Sequence, residues 1–259
     1  MVEGGIEWTY GKLRVSIHQT ADAAGAAAAK VVAAAIKKQV ERRGVGAVLL
    51  ATGNSQLRLL SHLSRNRSVP WDRVHVLHLD EYVGLSELHP SSFRQYLRRH
   101  LVDTVRPLAF HELRGDAENL DREAARYAAL IDELQPGVCA MGIGENGHLA
   151  FNDPPAAFTA ETLVAVVTLD ERSRLQQVVE GHFSSVAEVP TRALTLTIPS
   201  LLMPATVVVT VPGIRKAAAV REALEGPIEG SCPASVLRQA GHARLFLDTD
   251  AASMLRPSS

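Results

Sequence analysis

Short apolar runs that stop abruptly at small or acidic residues dominate what this chain can fold into. Val45 to Ala51, Val74 to Leu79 and Val138 to Ile143 are too short to make a helical core. They show little polar alternation, the pattern of strands buried on both faces. Between them the periodicity changes. Thr20 to Arg43 is alanine-rich, has a capping hydroxyl at Thr20 and a closing glycine at Gly44, and so reads as a helix. Gln56 to Ser64, Ser92 to Val105, Leu120 to Leu134 and Arg215 to Leu224 read as further helices. Strands are expected at Leu163 to Leu169, Arg192 to Thr197, Thr206 to Val211 and Leu245 to Leu247, with one short strand before the first helix.

Apolar strands alternating with helices predict an α/β fold: a Rossmann-like, open, mainly parallel sheet with helices on both faces. Ligands of such sheets sit beyond the carboxyl ends of the strands. No repeat, low-complexity linker or composition break divides residues 1–259, so a single domain is expected. The 27 Lys and Arg balance 28 Asp and Glu, which leaves no basic field for nucleic acid. The start, Met1 to Thr20, lacks the apolar run of a signal peptide, and no stretch reaches the ~18 apolar residues of a membrane span. With two cysteines, Cys139 and Cys232, a reducing compartment follows, so a cytoplasmic location without membrane partners is expected. A homo-oligomeric state is left open.

Three strand-end loops carry the chemistry. In Thr52-Gly53-Asn54-Ser55 a strand passes through a small polar turn into a helix. Amides at that helix start, with the Thr52 and Ser55 hydroxyls, suit an anion such as phosphate, or form a plain capped turn. Asp80-Glu81-Tyr82 puts two carboxylates at the end of an apolar strand. Half-burial there makes a general base, unless the pair is only a helix cap or a solvated corner. His75 and His78 lie on opposite strand faces, so a shared metal ion is not expected. The third loop, Gly142 to Pro155, contains G-x-G-x-x-G, yet Asn152-Asp153-Pro154-Pro155 follows where a dinucleotide site needs a helix. What remains is His148 with Glu145, Asn146 and Asp153 near it as orienting partners for an acid/base imidazole.

The ordered set T-G-N-S, L-D-E-Y-V-G-L, H-P-S-S-F and G-x-G-x-N-G-H-x-A-F-N-D-P resembles the glucosamine-6-phosphate deaminase (isomerase) family, which shares its sheet with 6-phosphogluconolactonases. The likeness runs from about Val45 to Phe246. It implies an isomerising deaminase that turns a small phosphorylated amino sugar, glucosamine 6-phosphate, into fructose 6-phosphate and ammonia, with no cofactor and no metal. By the resemblance, His148 moves the ring-opening proton with Asp153 as its acidic partner, and Asp80 carries hydrogen between C2 and C1. Thr52, Gly53, Asn54 and Ser55 would hold the phosphate, joined by Lys216 in Gly213-Ile214-Arg215-Lys216-Ala217.

The sequence departs from the family pattern in places. Asn146 stands where well-known members carry Asp; it can orient an imidazole but cannot neutralise its charge. From the divergent segment Asp170 to Pro190, Arg174 is assigned to a phosphate contact. Pro155 to Leu163 holds no Arg or Lys, so activation by N-acetylglucosamine 6-phosphate is not expected. Competing readings are a 6-phosphogluconolactonase, a galactosamine-6-phosphate deaminase, and a sugar-phosphate sensor without turnover.

Overall fold

The computed structural model describes residues 5–256. The chain opens with a hairpin, β1 (Ile6–Tyr10) and β2 (Leu13–His18), followed by α1 (Ala21–Arg43), β3 (Gly46–Leu50), α2 (Leu57–Ser64), β4 (Val74–His78) and β5 (Asp80–Tyr82). A helical segment follows as α3 (Phe93–Leu97), a π-helical stretch Arg98–Val102, and α4 (Asp103–Val105). Next come β6 (Ala109–His111), α5 (Leu120–Leu134), β7 (Val138–Met141), β8 (Val164–Thr168) and α6 (Glu171–Val179). The chain continues through β9 (Arg192–Leu196), α7 (Ile198–Leu202), β10 (Thr206–Val211), α8 (Ala217–Glu225) and β11 (Ala243–Asp248).

Eight strands form one sheet in the order β1-β2-β11-β10-β7-β3-β4-β6, parallel throughout except for the β1–β2 hairpin at its edge. Strand alternation sorts the core onto two faces. Val48 and Leu50 of β3 pack with Val76, Val138, Val208 and the α1 residues Ala28, Val32 and Ile36. Ala47 and Leu49 face the other way, with Leu77, Cys139, Val209, Tyr127 and Ile131 of α5, and Val220 and Leu224 of α8. Burying each large apolar side chain contributes roughly 1.5–3 kcal/mol before entropy is counted. Helix α1 begins as expected: Thr20 Oγ1 accepts from the Ala23 amide at 3.1 Å, and Gly44 ends it at φ 80°. At Gly25 the backbones of α1 and α2 cross so closely that a Cβ would meet Arg58 Cβ at 2.6 Å.

The sequence pattern misplaces two strands. β8 and β9 leave the parallel sheet and join β5 in a separate antiparallel sheet of order β5-β9-β8. No helix separates β7 from β8, so no crossover returns the chain to the main sheet. The opening strand also proves to be a two-stranded hairpin. Only Leu79 separates β4 from β5, so Asp80 stands where the chain steps from one sheet to the other.

Candidate active site

From β3 the chain runs outward through β4 and β6 to one edge, whereas β7, β10 and β11 run outward in the other direction. Neighbouring β3 and β7 therefore send their following loops apart, and a crevice opens at their carboxyl ends. Loops after β3, β4, β7 and β10, with one side of α6, line an open pocket there, the place where such sheets bind their ligands.

Two glycines shape one end of it. Gly53 (φ 92°, ψ 168°) and Gly213 (φ 91°, ψ 151°) each precede a single 3-10 turn that runs into α2 and α8. That backbone region is almost closed to residues with a Cβ. Both turns begin a helix beside the pocket, and the first free amides of such starts attract anions. Buried Gln56 braces the pair by accepting from Thr210 Oγ1 of β10 at 3.1 Å. Thr52, Gly53, Asn54, Ser55 and Lys216 all line the pocket.

The two acids after β4 separate cleanly in role. Glu81 is fully buried and spent: its carboxylate accepts from Ser92 Oγ (2.7 Å), the amides of Phe93 and Arg94 (both 3.1 Å) and Arg94 Nε (3.2 Å). It caps α3. Asp80 is only 7 % exposed and lines the pocket. Burial first, and the neighbouring Glu81 charge second, push its carboxyl well above the ordinary carboxylate range. Burial raises the Glu81 pKa too, opposed by its Ser92, Phe93 and Arg94 donors, so what separates the two acids is that Glu81 has its acceptors occupied and Asp80 faces the pocket.

The Gly142–Pro155 loop turns tightly, and no helix follows it. A Cβ on Gly144 would overlap the His148 ring, so that position admits the imidazole only as glycine. His148 Nδ1 lies 3.3 Å from Asp153 Oδ1 and 3.3 Å from Ser173 Oγ, and Ser173 itself donates to Asp153. Asn146 Nδ2 reaches Asp153 Oδ1 at 3.3 Å, while Asn146 Oδ1 accepts from the His148 amide at 3.2 Å. Burial raises the Asp153 pKa, but the hydrogen bond and charge of His148, with the Ser173 and Asp170 donors, outweigh it and bring the group down to about 2. Asp153 therefore stays ionised. Ala150, two residues after His148, holds a left-handed φ of 50° on the pocket wall, a conformation that costs a residue with a Cβ.

At the far end, Lys216 is buried. Burial first lowers its pKa, opposed by the Glu180 and Glu145 carboxylates, while Arg215 lowers it further. Arg215 pairs with Glu145 at 2.9 Å. Arg174 is not brought to the pocket. Its guanidinium donates to the carbonyls of Val186 (2.5 Å) and Val189 (3.1 and 3.3 Å), so it ties α6 to the following loop. His75 and His78 diverge as strand alternation requires: His75 meets His111 at 2.8 Å, and buried His78 bridges the Asp80 carbonyl and the Leu113 amide. Among the described residues no group of three or more His, Cys, Asp and Glu is arranged around a metal position.

Sequence reasoning missed the contribution of α6 and the residue after it: Ser173 beside the His148 imidazole, and Gln176, Gln177 and Glu180 on the wall. A signal was present. Asp170 accepts from the Arg172 amide as an N-cap, and an acid at that place before Glu171 announces a helix start.

Residues 19–247 match the family model described as glucosamine-6-phosphate isomerases/6-phosphogluconolactonase. The chain is 34 % identical over 221 residues to a glucosamine-6-phosphate deaminase of Exiguobacterium sibiricum, covering 85 % of this chain and 86 % of that one. Against glucosamine-6-phosphate deaminase 1 of Bacillus subtilis it is 34 % identical over 252 residues, 95 % of this chain and 100 % of the other. Among solved structures, a monomeric glucosamine-6-phosphate deaminase superposes with a TM-score of 0.86 at 31 % identity, covering 93 % and 99 % of the two chains. A 6-phosphogluconolactonase from Shewanella baltica superposes at 0.75 with 20 % identity over 95 % and 100 %, a likeness of fold.

Proposed function

The chain belongs to the family of glucosamine-6-phosphate isomerases and 6-phosphogluconolactonases, and from that premise we propose that it is an isomerising deaminase of glucosamine 6-phosphate. The carrying observation is that one buried carboxyl, Asp80, and one imidazole held by a carboxylate, His148, line a single pocket that ends in two glycine-led helix starts and a lysine. An aldose-to-ketose conversion needs these parts. His148, oriented by Asp153, Ser173 and Asn146, passes the proton that opens the pyranose ring. Asp80 takes a proton from C2 and returns one to C1, leaving an imine at C2; water then adds there, its oxygen becoming the ketone oxygen as the C2–N bond breaks and ammonia leaves.

The raised proton affinity of Asp80 fits that task, because a group that must first take a proton and then give it back works best near the ambient pH. An ammonium on C2 would sit beside it and favour its ionised form on binding. Thr52, Asn54, Ser55 and Lys216 would receive the phosphate. Lactone hydrolysis, the nearest rival, has no use for a base at C2. One assay separates the two: ammonium and fructose 6-phosphate released from glucosamine 6-phosphate, scored against hydrolysis of 6-phosphogluconolactone, with Asp80→Asn as control. Lactone turnover without ammonium release, or full deaminase activity in Asp80→Asn, refutes the assignment. Release from galactosamine 6-phosphate alone would move the specificity to the other epimer.

A further inference from the structure

Among the described pocket-lining residues two bear carboxylates, Asp80 and Glu180, and the proposed chemistry uses only the first. Glu180 follows directly on α6. Its Oε1 stands 3.9 Å from Lys216 Nζ and 3.9 Å from Arg215 Nη2, and accepts from Gln176 Nε2 at 2.7 Å. Oε2 is 3.6 Å from His182 Nε2, and the Glu180 carbonyl accepts from Asn54 Nδ2 at 3.3 Å. Three groups gathered around this residue, Asn54, Arg215 and Lys216, belong to the two glycine-led turns that form the anion end of the pocket.

These separations matter. At 3.9 Å the lysine and arginine are attracted to the carboxylate without donating a hydrogen bond to it, since charged donors close to 2.7–2.9 Å when they do. Lys216, buried among low-dielectric walls, has a counter-ion but keeps its donors unspent toward Glu180. A phosphate dianion offers more charge and more acceptor atoms than one carboxylate. It cannot approach Lys216 with Glu180 ionised beside it, however, without strong like-charge repulsion.

We propose that Glu180 is a resident anion in the phosphate seat: it neutralises Lys216, whose neighbour Arg215 is already paired with Glu145, while the pocket is empty and competes with the phosphoryl group of the substrate. The inference rests on the reading of Lys216 and the two turns as a phosphate seat, not on the identity of the sugar. Glu180 is thereby a specificity residue. It sets a minimum anionic charge that a ligand must bring, so sugars without phosphate are turned away by a site already electrically satisfied.

The test is calorimetric titration of inorganic phosphate into the wild-type protein and into Glu180→Gln, with the KM for glucosamine 6-phosphate measured on the same samples. Glu171→Gln, which removes the same charge from the exposed start of α6, controls for net charge. Glu180→Gln should bind phosphate on the order of tenfold more tightly, with KM falling in parallel and Glu171→Gln unchanged. Glu180→Ala should move in the same direction and stands in if the glutamine variant folds poorly. Phosphate binding equal to or weaker than wild type in both Glu180 variants would make the residue a structural prop and overturn the proposal. Tighter phosphate binding without any ammonium release would leave the resident anion in place and refute the deaminase reading alone.

Discussion

Asp153→Asn isolates the electrostatic half of the imidazole relay, and its cost can be worked from the site. The carboxyl drops from its ordinary value of 3.8 to about 2 in the folded protein, despite burial, because His148, Ser173 and the Asp170 amide all favour its charge. That difference corresponds to roughly 2.5 kcal/mol, and allowing for residual solvent screening leaves about 1–2 kcal/mol. The sign follows from linkage: a depressed carboxyl stabilises the fold fully above its unfolded value, and the benefit is lost as pH falls through about 2. Denaturant unfolding of wild type and Asp153→Asn at pH 6, 4 and 3 should therefore show a gap of about 1–2 kcal/mol at pH 6, reduced by roughly half at pH 3. The amide also fails to hold an imidazolium, so kcat should fall about 10- to 1,000-fold while KM changes little. A stability gap that does not vary between pH 6 and pH 3, or a variant with wild-type kcat, would refute this account of Asp153.

Asp80→Asn should lower kcat by roughly 10²- to 10⁴-fold, yet raise Tm at pH 7. A carboxyl whose folded pKa is raised by burial costs stability as pH climbs through and above its ordinary 3.8, and the amide escapes that cost; a lower Tm at pH 7 would contradict it. Asn146→Asp sets a second carboxylate within 3.3 Å of Asp153, so the acid limb of the pH–rate profile should shift; an unmoved profile removes Asn146 from the relay. Gly144→Ala should depress kcat more than KM, because the new methyl overlaps the His148 ring; unchanged kcat would show that the ring has another seat. Gly53→Ala meets open space but keeps φ at 92°, so it should lose about 1–3 kcal/mol in denaturant unfolding and weaken phosphate binding. Wild-type values for both would mean the turn can be rebuilt without its left-handed residue.

The loops were legible in the sequence because each marks a sharp change of pattern. An apolar run ends at Ala51, Leu79 or Ile143, and polar or glycine residues follow at once. The helix around α1 could be bounded to within a residue because Thr20 and Gly44 are local signals. Which of Asp80 and Glu81 is free to act could not be read in the same way. That depends on Ser92, Phe93 and Arg94, whose donors come from a helix start more than ten residues away. Membership of a sheet is equally non-local. Val164–Thr168 and Arg192–Leu196 have good strand composition wherever they pair, and only the missing crossover after β7 sends them to the small sheet. Arg174 shows the limit of matching by residue type, because its guanidinium was consumed by carbonyls that no spacing rule announces.

These non-local parts decide which side chains meet in the pocket. The main sheet contributes the strand ends that bring Gly53, Asp80, His148 and Lys216 together, a consequence of β3 and β7 diverging. The small sheet does something different: β5 pairs with β9 at Asp80↔Thr195, and Thr195 Oγ1 accepts from the Phe151 amide at 3.1 Å. Asp80 and the loop that carries His148 are thus braced by the same strand. Helix α6, set between β8 and β9, then places Ser173 beside the imidazole, and the residue after it, Glu180, faces the lysine. Helix α6 and the residue directly after it thus reach both ends of the pocket, so on the proposed reading a shift of α6 on ligand binding would alter the surroundings of His148 and of Lys216 together.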